Sequence, residues 1–510
     1  MNPRYLLPLM GLAAAGAAAQ QQQTPNVIFL VADDLGYGDL SCYGAERVQT
    51  PATDSVAQAG VRFVDAHAVA STSTPSRYSL LTGEYSFRRP DTGVAAGNAA
   101  LIIRPEQYTL ADAFRQRGYA TAAVGKWHLG LGAKTGQQDW NTTITPNLTD
   151  LGFDYSYIMA ATADRVPCVY IENGRVANYD PSAPIEVSYR QNFPGEPTGK
   201  DNPELLTKLK PSHGHDMSIV NGISRIGYMK GGGKALWQDE HIADSIVSHA
   251  VAFIEREAGE RPFFLYLCTN DIHVPRYPSD RFRGKSPMGL RGDAILQFDW
   301  TVGRITETLR RLGIAENTLL VITSDNGPVL DDGYADEAVA LAGSHKPGGP
   351  FRGGKYSAYE AGTTVPFIVS WPGHIEGGRV DTALVSHIDA LASMARLIGA
   401  KLPDNAAPDS RDCLDTWLGR NAGSQRSYVI TTGNNHNVEV RTKEWKYIEP
   451  RTGGPMVSWG PVIETGNSRE PQLFRRTGNN DERDNVAAEH PDIVTQLQEV
   501  ARRVEAGAAQ

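Results

Sequence analysis

The chain of 510 residues has little cysteine and no excess of positive charge. No two of its four cysteines form a CxxC pair, which excludes a zinc ribbon and a thioredoxin-like motif. The formal net charge is −9, whereas nucleic-acid-binding proteins usually present a basic surface, so no nucleic-acid partner is predicted. An acidic protein can still bind an anionic substrate, because the charge around a single site can be positive.

Long apolar segments are missing beyond the first 23 residues, so no membrane span is predicted. Those first residues read MNPRYLLPLMGLAAAGAAAQQQQ, in which Arg4 precedes a short apolar run that ends in small residues. This pattern is typical of a secretory signal peptide. We therefore expect residues 1–19 to be cleaved and the protein to be periplasmic or secreted.

Apolar runs alternate with amphipathic helical stretches along most of the chain. The runs lack strict polar alternation, which indicates strands covered on both faces. The predicted fold class is α/β, with a large, mostly parallel or mixed central sheet flanked by helices. The five runs are NVIFLVA (26–32), YATAAVG (119–125), FFLYLCT (263–269), TLLVITS (318–324) and VPFIVSW (365–371).

Two changes in composition suggest how the chain is organised. Residues 141–234 are rich in Pro, Gly, Asn and Tyr with weak periodicity, which predicts long excursions that shape a substrate pocket. Residues 401–426 are polar and mark a boundary. We therefore predict a catalytic domain over residues 20–405. A smaller C-terminal subdomain, residues 406–510, should contain short antiparallel strands and a closing helix.

Polar side chains follow four of the predicted strands. Ligands of open α/β sheets bind outside the carboxyl ends of the strands, so these side chains are expected to meet at one edge. They are Asp33 and Asp34, Lys126 and His128, Asn270, Asp271 and His273, and Asp325 and Asn326.

The acidic part of this set contains Asp33, Asp34, Asp325 and Asn326, which offer only hard oxygen ligands. Neighbouring carboxylates repel each other unless a cation lies between them, and an oxygen-only set suits calcium or magnesium. Any one of these pairs alone is equally typical of a turn or a helix cap. The hypothesis of a metal site rests on their agreement.

The basic part of the set predicts a pocket for an anionic, multi-oxygen ester. Each member alone is also compatible with a solvated surface charge or an ordinary loop histidine. Its members are Arg77, Lys126, His128, His273 and Lys355.

The stretch STSTPSRYSLLTGEY (71–85) places a run of hydroxyl side chains directly before a Pro-containing helix. Helix capping explains this pattern, because Ser and Thr are favoured N-caps and Pro is favoured in the first turn. A nucleophile beside an anion-binding helix end explains it equally well. Both interpretations stay open on this stretch alone.

This element, from Ser73-Thr74-Pro75-Ser76-Arg77 through Leu81-Thr82-Gly83, resembles the signature of the type I sulfatases of the alkaline-phosphatase-like superfamily. The segments SCYG, GKWHLG, HVP, SDNG and GGKYSAYEAGTTVP fit the same family, and the resemblance covers nearly the whole chain from Asn26 onwards. It implies a sulfuric ester hydrolase that acts from chain ends on sulfated carbohydrate such as host or algal glycan fragments.

The resemblance also implies a modified nucleophile. In that family the residue at the position of Ser73 is a Cys or Ser that becomes formylglycine. A Ser there resembles the form matured by an oxygen-independent radical enzyme, which makes such a maturase a partner and points to an anaerobic bacterium. One Ca²⁺ ion is implied, with ligands that match Asp33, Asp34, Ser73, Asp325 and Asn326.

The remaining roles carry over one residue at a time. Arg77 resembles the residue that holds the formylglycine hydroxyl, and Lys126 and Lys355 resemble the clamps on the sulfate oxygens. His128 resembles the base of the elimination step. His273 resembles the group that protonates the leaving oxygen, which matters because a sugar alkoxide is a poor leaving group.

The family pattern is not matched everywhere. Ala361 and Thr364 stand where the family often has Gly and Arg, which leaves the contacts of that loop open. His215 and Asp216 lie within the long excursion, and we expect them to contribute to the substrate pocket. They are less suited to a second metal site, because no third ligand is evident.

Two other functions remain open. A phosphatase or phosphodiesterase of the same superfamily would use an unmodified hydroxyl nucleophile, but the additional Asp/His ligands of a two-zinc site are not found in the sequence. An inactive homologue would bind sulfated glycans without cleaving them. The presence of every residue that the mechanism needs argues against this last function.

Overall fold

A computed structural model describes residues 24–421, 423–434, 436–476 and 482–507. The expected signal peptide, residues 1–19, lies outside these ranges. Within them the chain forms strands β1 (Asn26–Ala32), β2 (Gly60–Phe63), β3 (Ala66–His67), β4 (Ala120–Lys126), β5 (Tyr155–Met159), β6 (Tyr170–Glu172), β7 (Arg175–Val176), β8 (Glu186–Ser188), β9 (Ile219–Val220), β10 (Ile223–Ser224), β11 (Tyr228–Lys230), β12 (Phe263–Cys268), β13 (Thr318–Ser324), β14 (Phe367–Ser370), β15 (Arg379–Asp381), β16 (Val385–Ser386), β17 (Tyr428–Thr432), β18 (Val438–Thr442), β19 (Trp445–Ile448) and β20 (Gln472–Arg475).

The α-helices of the same residues lie on both faces of the main sheet and at the chain's C-terminal end. They are α1 (Pro51–Gln58), α2 (Ser73–Thr82), α3 (Leu110–Gln116), α4 (Ile242–Glu257), α5 (Gly289–Arg311), α6 (Ala338–Leu341), α7 (Ala390–Ile398), α8 (Leu414–Trp417) and α9 (Pro491–Glu505). None of the helices so described has the length and apolarity that crossing a bilayer requires.

The main sheet has ten strands in the order β15-β2-β14-β13-β1-β12-β4-β5-β6-β7. Its centre is parallel, because β13, β1, β12, β4 and β5 run in one direction, whereas β14 pairs with β13 in the antiparallel sense. All five apolar runs of the sequence form strands of this sheet, and each of those strands is buried along its full length. The predicted α/β class with a mixed central sheet is confirmed.

Aromatic side chains fill the space between the sheet and its helices. Phe264 on β12 stacks on Phe114 of α3 at 4.3 Å between ring centroids, and its other neighbours include Phe29 at 5.9 Å. Such pairs stabilise a core beyond the area that they bury. The packing fixes α3 against the amino end of β12 in the main sheet.

A second, smaller sheet follows in the C-terminal part of the chain, as predicted. Strands β17, β18, β19 and β20 pair in sequence order, all antiparallel, and α9 covers one face through Leu497, Ala501 and Val504. The division of the chain at residue 405 stays a prediction. Trp417, which lies beyond it, packs on Phe29 and Phe367 of the main core.

Backbone hydrogen bonds join this smaller sheet to the segment that precedes α2. The Ser71 N–H donates to the carbonyl of Thr432 at 2.9 Å, and the Thr432 N–H donates to the carbonyl of Val69 at 3.0 Å. The C-terminal sheet is therefore attached to the chain directly ahead of Ser73.

Buried ion pairs form a further connection between the two sheets. Glu360 accepts from Arg441 at 3.0 Å, lies 3.0 Å from Arg476 and lies 3.3 Å from Lys446. These three cations outweigh the cost of burial and lower the pKa of Glu360 well below its usual range. The charge of Glu360 is thus retained in the interior, where three buried cations share it. Arg441 also pairs with Asp65, and Lys446 also pairs with Glu482.

We expect Glu360→Gln to lower the free energy of unfolding by about 3–5 kcal/mol, because the change leaves buried cations uncompensated. Urea denaturation measures the effect. Glu307→Gln is the matched control: it removes an exposed carboxylate that pairs with Arg304, and should cost about 0–1 kcal/mol. Equal losses for the two variants would contradict a connecting role for Glu360.

Candidate active site

Four neighbouring parallel strands end at the same edge of the main sheet and bring the predicted polar residues together. The order β13-β1-β12-β4 places the end of each strand beside the next. Asp325 and Asn326 follow β13, Asp33 and Asp34 follow β1, His273 lies beyond β12, and Lys126 ends β4 with His128 two residues later. These residues are spread over 294 positions of the sequence, from Asp33 to Asn326, and the fold brings them to one place.

Four oxygen-bearing side chains are packed together there. The Asn326 Nδ2 donates to Asp34 Oδ1 at 2.8 Å, and the Asp34 N–H donates to Asp325 Oδ1 at 3.3 Å. Asp33, Asp34, Asp325 and Asn326 are all almost fully buried. Burial together with neighbouring carboxylates raises the pKa of Asp33, although Lys126 opposes this effect.

Two oxygens of this cluster fit a bound cation. Asp33 Oδ2 and Asn326 Oδ1 are buried, and neither has a hydrogen-bond partner in the described part of the chain. A buried acceptor left in this way costs free energy unless something else satisfies it. A hard divalent cation does so for carboxylate and amide oxygens alike. Asp33, Asp34, Asp325 and Asn326 would hold such an ion.

Ser73 is the first residue of α2 and lies beside this oxygen cluster. Thr72 precedes the helix with extended backbone, and Gly83 ends it in the left-handed conformation at φ +65°, which suits glycine. The Arg77 Nε, one turn along the helix, donates to Ser73 Oγ at 2.9 Å. Arg77 also pairs with Asp325 at 2.8 Å, so the same guanidinium positions the hydroxyl and offsets the carboxylate.

His128 faces Ser73 from the other side. Its Nε2 lies 2.9 Å from the carbonyl of Ala95, which can only accept, so Nε2 carries the proton. Its Nδ1 therefore presents a lone pair to Ser73 Oγ, 3.2 Å away. Burial lowers the pKa of His128 well below its usual value, and the nearby charge of Lys126 acts in the same direction. The neutral ring is suited to accept a proton from a hydroxyl at position 73.

Two lysines lie on either side of the oxygen cluster. Lys126 Nζ donates to Asp33 Oδ1 at 2.6 Å, and burial lowers the Lys126 pKa despite that partner. Lys355 Nζ donates to Asp34 Oδ2 at 2.9 Å and to Asp332 Oδ2 at 2.8 Å. Burial disfavours the charge of Lys355, but the two carboxylates outweigh burial and raise its pKa.

His273 completes the edge. Its Nδ1 donates to the carbonyl of Val274 at 2.7 Å, and its Nε2 lies 3.8 Å from Asp34 Oδ2. Burial lowers the pKa of His273 well below its usual value, and Lys355 is the next cause. A bound anion beside Lys355 would offset the effect of the Lys355 charge on the His273 pKa. Nε2 is the atom that His273 presents to the site.

Some of these residues line a cavity of about 160 Å³, which we call the catalytic cavity. Among the residues predicted from sequence, it is lined by Ser73, His128, His215, His273 and Lys355. Asp216 does not line it. Its backbone carbonyl instead accepts from the Lys200 N–H at 2.8 Å in the long excursion.

Six further lining residues have a polar or aromatic side chain that sequence reasoning did not assign to the site. They are Thr72, Asp164, Arg165, Asp332, Tyr356 and Trp459. Asp332 lies in a DDG turn seven residues after Asp325, and Tyr356 directly follows Lys355. Their closeness in sequence to predicted site residues was a weak indication that both belong to the site. Asp164, Arg165 and Trp459 lie in irregular segments without any periodic pattern.

Asp164 organises the side of the cavity that lies away from the helix end. His215 Nε2 lies 3.0 Å from Asp164 Oδ2, and its Nδ1 lies 3.0 Å from the carbonyl of His213. Both ring nitrogens thus face acceptors. Burial opposes the charge of His215, but the hydrogen bond to Asp164 outweighs it and raises the His215 pKa. Arg165 pairs with the same carboxylate at 3.1 Å. These groups give this side of the cavity a polar lining that suits a hydroxyl-rich molecule.

Comparisons with known proteins agree with this arrangement. A family model described as Sulfatase matches residues 25–400. An N-acetylgalactosamine-6-O-sulfatase of Bacteroides thetaiotaomicron is 51% identical over 512 residues, which is 99% of either chain. Arylsulfatase A of Homo sapiens is 31% identical over 431 residues, 83% of this chain and 73% of that one.

A solved structure from work on the metabolism of multiple glycosaminoglycans by Bacteroides thetaiotaomicron superposes with a TM-score of 0.93. It is 51% identical and covers 95% of this chain and 100% of its own. The similarity therefore includes the C-terminal sheet as well as the main one.

The oxygen cluster generates a testable expectation. Calcium should raise the melting temperature of the chelator-treated protein, because it relieves repulsion among buried carboxylates. Asn326→Ala removes one oxygen without changing the charge, and should weaken the apparent calcium affinity by about tenfold or more. Isothermal titration calorimetry with calcium measures this. The control Asn317→Ala, on the far end of β13, should bind calcium as the wild type does. Equal affinities for Asn326→Ala and wild type would rule out Asn326 as a ligand.

Proposed function

Since the chain belongs to the sulfatase family and is a sulfuric ester hydrolase, we propose that it removes a 6-O-sulfate group from N-acetylgalactosamine in glycan fragments. The single observation that supports this most strongly is the 51% identity to an N-acetylgalactosamine-6-O-sulfatase over nearly the whole of both chains. The catalytic cavity is consistent with this substrate, because cationic groups lie near Ser73 and hydrogen-bonding groups lie on the opposite side.

Ser73 is the proposed nucleophile position. Oxidation of its side chain to formylglycine would supply, as the hydrated aldehyde, two hydroxyls on one carbon, one to attack sulfur and one to lose its proton so that sulfate departs. Arg77 holds the oxygen at position 73 through its 2.9 Å hydrogen bond. His128 Nδ1, 3.2 Å away, is placed to accept the proton that the second hydroxyl loses.

The cations around Ser73 are proposed to bind the sulfate group. Lys126 and Lys355 lie on opposite sides of the oxygen cluster and each already carries a carboxylate partner, so their positions are fixed before substrate arrives. Calcium, when bound by Asp33, Asp34, Asp325, Asn326 and the residue at position 73, would add positive charge beside the sulfate oxygens. Fixed charges of this kind favour the transition state because they need not reorganise.

His273 is proposed to protonate the leaving oxygen of the sugar. Its Nδ1 is anchored by the carbonyl of Val274, which orients Nε2 toward the site. Beyond it, Asp164, Arg165 and His215 are placed to bind the sugar hydroxyls. Buried donors and acceptors discriminate strongly against a molecule that separates them from their partners and leaves them unpaired.

An exported protein with this chemistry needs a maturation partner. We propose that a radical-type maturase converts Ser73 before export, with the segment around residues 1–19 directing export afterwards. The activity of protein made without the maturase should then be lost, although its fold stays the same.

Intact-mass spectrometry and sulfate release test the mechanism together. Protein made with a suitable maturase should lose the mass of two hydrogen atoms at Ser73 and release sulfate from N-acetylgalactosamine 6-sulfate. Ser73→Ala should release none, whereas Ser71→Ala, two residues away, should keep its activity. Full activity of unmodified protein, or hydrolysis of phosphate esters in preference to sulfate esters, would favour an unmodified hydroxyl nucleophile instead. Tight binding without sulfate release by matured protein would indicate a binding homologue.

His273→Ala should damage sugar sulfates far more than aryl sulfates, because a phenolate leaves without protonation. We expect kcat/KM to fall by about 10²–10⁴-fold on N-acetylgalactosamine 6-sulfate and by less than about tenfold on a nitrophenyl sulfate. Exposed His374→Ala serves as the control and should leave both values unchanged. Equal losses on the two substrates would remove the role of proton donor from His273.

A further inference from the structure

A second cavity of about 220 Å³ lies beside the catalytic cavity and shares two of its walls, Tyr356 and Trp459. The two rings meet edge-on, with 5.0 Å between their centroids. Tyr356 is held firmly, because its hydroxyl donates to Asp332 at 2.9 Å and its N–H donates to the carbonyl of Ser71 at 2.9 Å. A molecule in the second cavity would therefore contact Tyr356, which directly follows Lys355 in the sequence.

The lining of the second cavity differs in chemistry from that of the first. Its polar groups are amides and hydroxyls, chiefly Asn434, Asn437, Ser458 and Asn467, and none of the described residues that line it is charged. Trp459, which is 45% exposed, adds an open aromatic face. A few neutral polar groups beside an aromatic ring are typical of sites for uncharged small molecules.

One donor in this cavity is unsatisfied. Asn437 is only 2% exposed, yet its Nδ2 has no hydrogen-bond partner among the residues that the structure describes. A buried donor in this state is unfavourable unless something else satisfies it. A ligand oxygen in the cavity would satisfy it.

We propose that the second cavity binds an uncharged sugar residue joined by a glycosidic bond to the sulfated one, an inference that rests on the proposed function. The preferred substrate is then an oligosaccharide in which the sulfated N-acetylhexosamine is linked to a neutral hexose or N-acetylhexosamine. A hexuronate neighbour is disfavoured, because its carboxylate would lose hydration and meet no cation among the lining residues.

Three substrates of matched structure test this: the 6-sulfated monosaccharide, its disaccharide with a neutral hexose, and the same disaccharide with the corresponding hexuronate. For the matured full-length chain, kcat/KM on the neutral disaccharide should exceed that on the monosaccharide by about tenfold, and the hexuronate disaccharide should show no such gain. The same order should appear in dissociation constants measured by calorimetry with the Ser73→Ala protein.

Two variants locate the effect. Ser458→Trp fills the cavity from its exposed rim, where the larger side chain does not disturb folding, and Asn437→Ala removes the unpaired amide. Both should bring the ratio of kcat/KM for the neutral disaccharide over the monosaccharide close to one. Asn317→Ala, distant from both cavities, should preserve the ratio of the wild type.

The possible failures can be told apart. Sulfate release without a preference for the neutral disaccharide, or a preference that survives Ser458→Trp, would overturn the second cavity as a subsite and leave the proposed function intact. No sulfate release from any substrate would overturn the proposed function. In that case the order of dissociation constants still decides on the subsite, since tighter binding of the neutral disaccharide supports it and equal binding overturns it.

Discussion

The burial of three carboxylates at one sheet edge is the constraint on which the rest of the site depends. Asp33, Asp34 and Asp325 are removed from water, and carboxylate oxygens of the first two lie within 4.8 Å of each other, which is unfavourable unless positive charge is supplied. Arg77, Lys126 and Lys355 supply part of it, each from a different element. Among the described residues, Asp33 Oδ2 and Asn326 Oδ1 have no hydrogen-bond partner, which suits a bound cation. Positive charge is thereby concentrated beside the catalytic cavity.

Much of this could be predicted from sequence. The five apolar runs appear as strands of the main sheet because strands buried on both faces leave an unmistakable pattern, and topology alone then brings their carboxyl ends together. The pairing of Ser73 with Arg77 follows from helical spacing once α2 is recognised. The predicted position of α2 is confirmed, and so is the small antiparallel sheet.

Other parts carried no such signal. Asp164 and Arg165 come from the irregular excursion, in which distance along the chain says nothing about distance in space. His215 and Asp216 were expected at the pocket because they lie in that excursion, and only His215 lines the catalytic cavity. Trp459 arrives from beyond the expected domain boundary, and Trp417 packs into the main core from the same region. A polar stretch of sequence indicates a solvent-exposed segment, but it does not show against which part of the fold the following residues pack. The irregular segments that line the catalytic cavity were thus the least predictable.

Hydrogen bonds between β17 and the segment ahead of Ser73 also impose an order of events during biosynthesis. Val69 and Ser71 find their partner at Thr432 only after more than four-fifths of the chain has been made. Until then the segment lacks these two hydrogen bonds. In the folded protein Ser73 is 3% exposed and accepts a hydrogen bond from Arg77. The proposed modification of Ser73 would therefore have to precede the formation of the C-terminal sheet.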